Sequence, residues 1–228
     1  MREPTVASLM TREVITADVE CPFKDLVRLL EDNKISAVAV LDGGWPVGVV
    51  SEADLMPKEE FRGGTEDAPG LFAGHATKHR WEQASGVTAR DVMTSPVKSI
   101  APDLAASAAA RELAVAGVRR LFVLDSDGAL VGVLSRRDLL KLFVREDDEL
   151  RTTIRDEIFG RILWVDPGSL YVAVTDGVVT VQGKLERQSE VEIAGHLIRA
   201  LPGVVDVHNN LLPEWNDTEH THQTEIFG

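Results

Sequence analysis

The sequence predicts an α/β module in which one unit is written twice, followed by a smaller α+β domain, and three observations carry that prediction. The stretch from Leu9-Met10-Thr11 to Asp54-Leu55 recurs as Val92-Met93-Thr94 to Asp138-Leu139. Within it, Val40-Leu41-Asp42 matches Val123-Leu124-Asp125, and Val47-Gly48-Val49-Val50-Ser51 matches Val131-Gly132-Val133-Leu134-Ser135, each copy closing on Asp-Leu. Duplication on this scale marks a supersecondary unit that buries its apolar face against its twin, and clefts between packed units are favoured seats for small ligands. Beyond the charged run Arg145 to Glu149 the composition shifts, and a helix, strand, strand, helix, strand pattern replaces the repeat.

In the first repeat, Phe23, Leu26, Val27 and Leu30 lie at the spacing of an amphipathic helix over Phe23 to Asn33. Ala37 to Leu41 is short, apolar and rich in strand formers, and Gly43-Gly44 turns it into a second strand ending at Ser51. The second repeat follows the same course, with an alanine-rich helix over Leu104 to Ala116, a strand over Leu121 to Leu124, a turn at Asp127-Gly128, and a strand ending at Ser135. Ser51 and Ser135 open helices that contain Asp54-Leu55 and Asp138-Leu139. Residues 57–87 hold Pro57, Gly63-Gly64, Pro69-Gly70, Gly74 and Gly86 without sustained periodicity, which predicts a long, mobile connector with room for one short helix. In the last domain, a helical segment over Leu150 to Phe159 precedes strands over Ser169 to Thr175 and Val178 to Leu185 flanking Asp176-Gly177, then a helix over Ser189 to Leu201 and a strand over Val204 to Leu212. The expected boundaries are 1–57 and 88–145 for the repeats, 58–87 for the connector, 146–215 for the last domain and 216–228 for a flexible tail.

The chain has 228 residues and a net charge of −13, which argues against general binding to nucleic acid, since phosphate backbones reward clustered lysine and arginine. Its distribution is uneven: residues 89–145 carry nine basic against six acidic residues, whereas 146–228 carry six against sixteen. A lone positive region in an acidic chain is a candidate seat for a small anion. One cysteine, Cys21, cannot form an intramolecular disulfide, and no apolar run approaches the length of a membrane span or resembles an export signal, so a cytoplasmic address is expected. No Ser/His/Asp or Cys/His set, phosphate-binding glycine loop or dinucleotide fingerprint is present, so no enzyme is expected. His75 and His79, four apart, could share a helix face as metal ligands, but no further ligand lies near them in sequence; solvated histidines are the better reading, as for His220 and His222. Trp45, Trp81, Trp164 and Trp215 read as packing residues, with Trp81 also placed to cover a ligand.

The repeat ending, apolar-Gly-apolar-apolar-Ser-x-x-Asp-Leu, with Met-Thr near the start, closely resembles the cystathionine-β-synthase (CBS) domain, and two in tandem resemble a Bateman module. The resemblance implies β-α-β-β-α repeats paired through their sheets, homodimerisation, and an adenosine-containing ligand such as AMP, ADP, ATP or S-adenosylmethionine in a cleft, with no obligatory cofactor. It places ribose-binding aspartates at Asp54 and Asp138, helix-opening residues at Ser51 and Ser135, and further cleft positions at Thr16, Ala17, Ser36, Ala37, Val38, Ser99, Ile100 and Leu121. A carboxylate is an apt acceptor for paired ribose hydroxyls. The same Ser-x-x-Asp spacing also makes a capping box, and both roles stand together. Arg119, Arg120, Arg136 and Arg137 sit at cleft positions of the second repeat only, which marks that copy as the expected phosphate site, against the alternative of a solvated basic face.

Residues 150–213 resemble a BON domain, of αββαβ form, through the hairpin Val178-Val179-Thr180-Val181-Gln182-Gly183 and the stretch from Leu201-Pro202-Gly203-Val204 to Asn209-Asn210-Leu211. Gly183 matches the family glycine, where a side chain would obstruct packing or strand curvature. The resemblance implies attachment to phospholipid or envelope surfaces, although the charge of this part makes a protein partner at least as apt. The expectation is a bacterial regulatory protein that senses an adenine nucleotide and relays its state through the BON domain. The alternatives are a ligand-independent dimeric scaffold or an envelope-attachment protein presenting BON domains.

Overall fold

The computed structural model describes residues 3–61 and 74–217, which form two compact units: residues 5–136, and residues 137–217 together with 3–4. The connector's Gly63-Gly64 and Pro69-Gly70 and the tail's His220 and His222 lie outside the described residues.

The first repeat runs α1 (Val6–Leu9), β1 (Thr16–Asp18), α2 (Phe23–Asp32), β2 (Ala37–Asp42), β3 (Trp45–Ser51) and α3 (Glu52–Leu55). The helical periodicity of α2 is used directly, since Leu26 and Leu30 are buried while Arg28 faces solvent. Gly43 and Gly44 both take positive φ, +57° and +90°, the conformation a tight hairpin between β2 and β3 demands. The sheet order is β1-β2-β3, with β1 parallel and β3 antiparallel to β2.

The connector carries more structure than its composition predicts: α4 (Pro57–Glu60) is followed by the eleven-residue α5 (His75–Ser85). Arg80 pairs with Glu60, and the Lys58 ammonium donates to the Gly86 carbonyl. These polar tethers stand in for the apolar stripe that would have announced the helix in sequence.

The second repeat repeats the order with α6 (Ala89–Val92), β4 (Ser99–Ile100), α7 (Ala106–Val115), β5 (Arg120–Leu124), β6 (Leu130–Ser135) and α8 (Arg136–Leu140), and its sheet again reads β4-β5-β6. Both central hairpins break register at the equivalent step, Val40/Leu41 and Val123/Leu124. The repeats interlock by a reciprocal exchange: Thr11 pairs with Val133 of β6, and Thr94 pairs with Val49 of β3. A Cβ added to Gly132 would fall on the Met10 side chain and 3.1 Å from the Thr11 carbonyl, and one added to Gly48 would fall on Met93. The Met-Thr and Val-Gly-Val signatures of the repeat are therefore the two halves of one contact, each made with the other copy.

The last domain contains α9 (Asp147–Thr153), continued by wide π-type turns through Ile162, then β7 (Tyr171–Thr175), β8 (Val178–Arg187), α10 (Gln188–Arg199) and β9 (Asp206–Trp215). Its sheet order is β7-β8-β9, antiparallel then parallel. Leu150, Ile154, Ile158, Phe159, Val179, Val181, Ala194 and Ile198 form a continuous core. The Asp176-Gly177 turn takes φ of +50° and +74°, and both its amides donate to the Asp147 carboxylate, at 2.7 and 2.9 Å, so α9 holds the hairpin tip. Gly183 sits at φ +142°, and a Cβ there would meet Leu170. Asp217, expected in the tail, instead caps α10: its carboxylate accepts from the Ser189 amide and hydroxyl, which lowers its pKa.

Candidate functional site

A cleft of about 520 Å³ opens between the two repeats, wholly inside the unit of residues 5–136. Its wall from the first repeat is Ser36 and Ala37 at the entry to β2, and Ser51, Glu52, Ala53 and Asp54 where β3 runs into α3. The wall from the second repeat is Thr94, Pro96 and Lys98 from the exchanged segment, with Val118, Arg119, Arg120 and Phe122 at the entry to β5. Each repeat thus contributes the same kind of segment, a loop feeding the central strand, because the exchange of Thr11 and Thr94 brings the copies edge to edge.

Ser51 and Asp54 form a capping box at the start of α3. Asp54 Oδ2 accepts from the Ser51 amide at 2.8 Å and the Ser51 hydroxyl at 2.5 Å. Its Oδ1 accepts from the Thr94 hydroxyl at 2.8 Å and the Gln83 amide at 3.1 Å. The carboxylate is at once a cap and the hub that ties α3, α5 and the exchanged segment together.

In the same cleft, the Arg120 guanidinium donates to the Ala37 carbonyl at 3.1 Å and the Ser36 hydroxyl at 2.5 Å. Burial pushes its pKa down; Glu52 works against that shift and the neighbouring Arg119 adds to it. An arginine stays protonated through such a shift. Among the described residues no carboxylate makes an ion pair with Arg119 or Arg120, and Glu52, which lines the same cleft, acts on Arg120 only through space. Electrostatically, that is a place for an anion beside an acceptor for hydroxyls.

The structure sorts the remaining expected positions. The arginines of the second repeat do not act as one patch with their own serine and aspartate: Arg119 and Arg120 share a cleft with Ser51 and Asp54 of the first repeat. Arg136 and Arg137 are exposed and outside the cleft, and Arg136 donates instead to the Val118 carbonyl. Val38 and Leu121 are fully buried in strand interiors, and Ala17 and Ile100 nearly so, which makes them core residues. Thr16 lies on β1 opposite Ala39, and Ser99 borders a separate groove beside α7. Ser135 pairs with Arg120 across the β5–β6 hairpin. The boundary between the compact units falls inside α8, after Arg136, so Asp138 belongs to the second unit, where it is buried and holds the Lys141 ammonium at 2.7 Å. Trp81 does not line the cleft. Thr94 and Lys98 line the cleft, and Gln83 bonds Asp54 without lining it; none of the three is among the expected positions. The repetition of Met-Thr was the available signal for Thr94, while nothing local marks Gln83.

Among the described residues no group of three or more His, Cys, Asp and Glu is arranged to hold a metal ion, and no helix is long and apolar enough to cross a membrane.

Family models match the CBS domain at residues 6–58 and 89–145, and the BON domain at residues 146–212. An uncharacterized protein of Methanopyrus kandleri is 27% identical over 159 residues, covering 69% of this chain and 70% of that protein. The chloroplastic CBS domain-containing protein CBSX2 of Arabidopsis thaliana is 29% identical over 128 residues, covering 51% of this chain, and the chain spans 53% of its length. The crystal structure of CBSX2 in complex with AMP is similar at a TM-score of 0.48 and 26% identity, covering 60% of this chain and 93% of that one. With the duplicated unit, its sheets and the distinct C-terminal fold in place, this chain belongs to the CBS-domain family, as a tandem CBS pair followed by a BON domain.

Proposed function

We propose that this protein is a regulatory sensor in which the CBS pair binds an adenosine-containing ligand, and the BON domain passes the bound state to a protein partner or surface. The observation that carries the reading is the cleft that Asp54, an acceptor suited to ribose hydroxyls, lines together with Arg119 and Arg120, cations that no carboxylate pairs with directly among the described residues. A relative of 29% identity, CBSX2, has been crystallised with AMP. Charged hydrogen bonds of the kind Arg120 would make to phosphate contribute about 1.5–3 kcal/mol each. Asp138 remains a candidate for a second ribose contact. A homodimer built by the CBS pair and a location in the cytoplasm belong to the same proposal.

One observation favours a second reading, that of a ligand-independent scaffold: the Asp54 carboxylate already accepts four hydrogen bonds from protein donors. A thermal-shift panel of adenosine, AMP, ADP, ATP and S-adenosylmethionine separates the two. A ligand at 100 times its dissociation constant stabilises by about 2.7 kcal/mol, roughly 5–11 °C for a chain of this size. The sensor predicts such a shift for at least one ligand. It should be abolished in Asp54→Asn and, for the phosphorylated ligands more than for adenosine, reduced in Arg120→Ala, while Arg136→Ala leaves it intact. No shift with any ligand establishes the scaffold.

A further inference from the structure

The connector helix α5 belongs to neither repeat, yet its Gln83 is one of the few polar side chains buried among the described residues, at 4% exposure. Both protons of the Gln83 amide are committed, one to Asp54 Oδ1 at 3.1 Å and one to the Val92 carbonyl at 2.7 Å. A carboxylate presents about four lone-pair positions, and on Asp54 all four are taken.

A ribose diol that comes to Asp54 must therefore displace a donor. Ser51 gives its amide and its hydroxyl to one oxygen of the same carboxylate in the turn that caps α3, and its amide cannot leave without unwinding that helix start. Thr94 is held beside Asp54 by reciprocal backbone bonds with Val49, at 2.8 and 3.0 Å, and only its exposed hydroxyl can turn away. Gln83 makes the longest of the four bonds, and its helix is tethered by polar contacts, Arg80 to Glu60 and Lys58 to the Gly86 carbonyl. Of these four donors, Gln83 is the one supplied by an element outside both repeats, so exchanging it would signal to that element.

We infer that Gln83 is a built-in competitor for the nucleoside: docked α5 occupies the carboxylate that the ligand's ribose requires, so ligand binding and release of Gln83 are coupled. The inference rests on the nucleoside reading of the cleft and adds to it the element that senses occupancy. Coupling of this kind is reciprocal, so whatever loosens α5 tightens the ligand.

The test is the affinity of the full chain for AMP and for S-adenosylmethionine, by calorimetric titration, in wild type and in Gln83→Met, which keeps the side-chain length and removes the amide. Gln83→Met is expected to bind about 3- to 10-fold more tightly, the factor that corresponds to loss of one competing hydrogen bond. In wild type, saturating ligand is expected to accelerate amide hydrogen exchange over residues 78–86. That second measurement needs no variant, so it decides the matter if Gln83→Met does not fold. Equal or weaker binding by Gln83→Met, or exchange over 78–86 that is unchanged or slowed, overturns the competitor while the cleft remains a nucleoside site. Binding of neither compound to either protein overturns the nucleoside reading itself, and the competitor with it.

Discussion

Gly48 and Gly132 hold matched positions in β3 and β6, and each is small because the other copy's methionine lies where its side chain would be. Interiors are packed too closely to absorb an added methyl without moving something. Met93 or Met10 has flexible torsions with which to yield, but the Thr11 carbonyl, 3.1 Å from a Cβ on Gly132, does not. Gly132→Ala should therefore destabilise by about 1–3 kcal/mol in urea unfolding. Adding Met10→Ala should recover part of that loss, giving a coupling of about 0.5–3 kcal/mol in a double-mutant cycle. Strict additivity would show that the contact between copies does not set the cost. Both signatures were visible in the sequence as repeated letters. That each docks on the opposite copy was not, because aligning a repeat with itself says nothing about which copy it touches. The arginines illustrate the same limit: Arg120 aligns with Ala37 across the duplication, and in space its guanidinium bonds the Ala37 carbonyl.

At the scale of the element, local chemistry was legible and remote tethering was not. The Asp176-Gly177 hairpin follows from two residues that accept positive φ, and α2 follows from its apolar stripe. Helix α5 has no such stripe, and is held by Gln83, Arg80 and the Gly86 carbonyl, contacts that connect positions 9 to 29 residues apart. Capping motifs lie between these extremes. Thr88 and Asp91 make a second capping box at the start of α6, where the Asp91 carboxylate accepts from the Val87 and Thr88 amides and the Thr88 hydroxyl, all at 2.9 Å. Those bonds, the backbone ones first, lower the Asp91 pKa. A carboxyl whose pKa is depressed by folding adds stability above its unfolded value, near 3.9, and loses it as pH falls through the folded value. Asp91→Ala should thus cost about 0.5–1 kcal/mol at pH 7, the low end of the capping range because the group is exposed. The gap between variant and wild type should close as the pH drops below about 4. A gap that persists undiminished at pH 2–3 in denaturant titrations would mean that Asp91 acts through packing and not through its charge.

In the molecule as a whole, the sequence repeat, the change of composition after Arg145 and the family matches mark a CBS pair and a BON domain, and each compact unit encloses its own core. One cluster runs through Val19, Leu26, Val38, Val40, Val50 and Val92, the other through Leu150, Phe159, Val181, Ile198 and Leu211. Apolar burial is the dominant stabilising term, and a unit that buries its own core can unfold by itself. Calorimetry of the full chain is accordingly expected to show two transitions. A nucleoside that binds the cleft lined by Asp54 and Arg120 contacts residues 36–122 alone, so mass action acts on the transition of the unit that contains them. AMP at saturation should move that transition upward and leave the BON transition within error. A Gly183→Ala substitution, which sets a Cβ against Leu170, should lower the BON transition and leave the AMP-dependent shift unchanged. A single transition, moved equally by AMP and by Gly183→Ala, would mean that the two cores melt as one. In that case occupancy of the cleft would reach the BON domain through shared stability and not through a discrete rearrangement, and the search for a relay would turn from the BON surface to the residues that join the units.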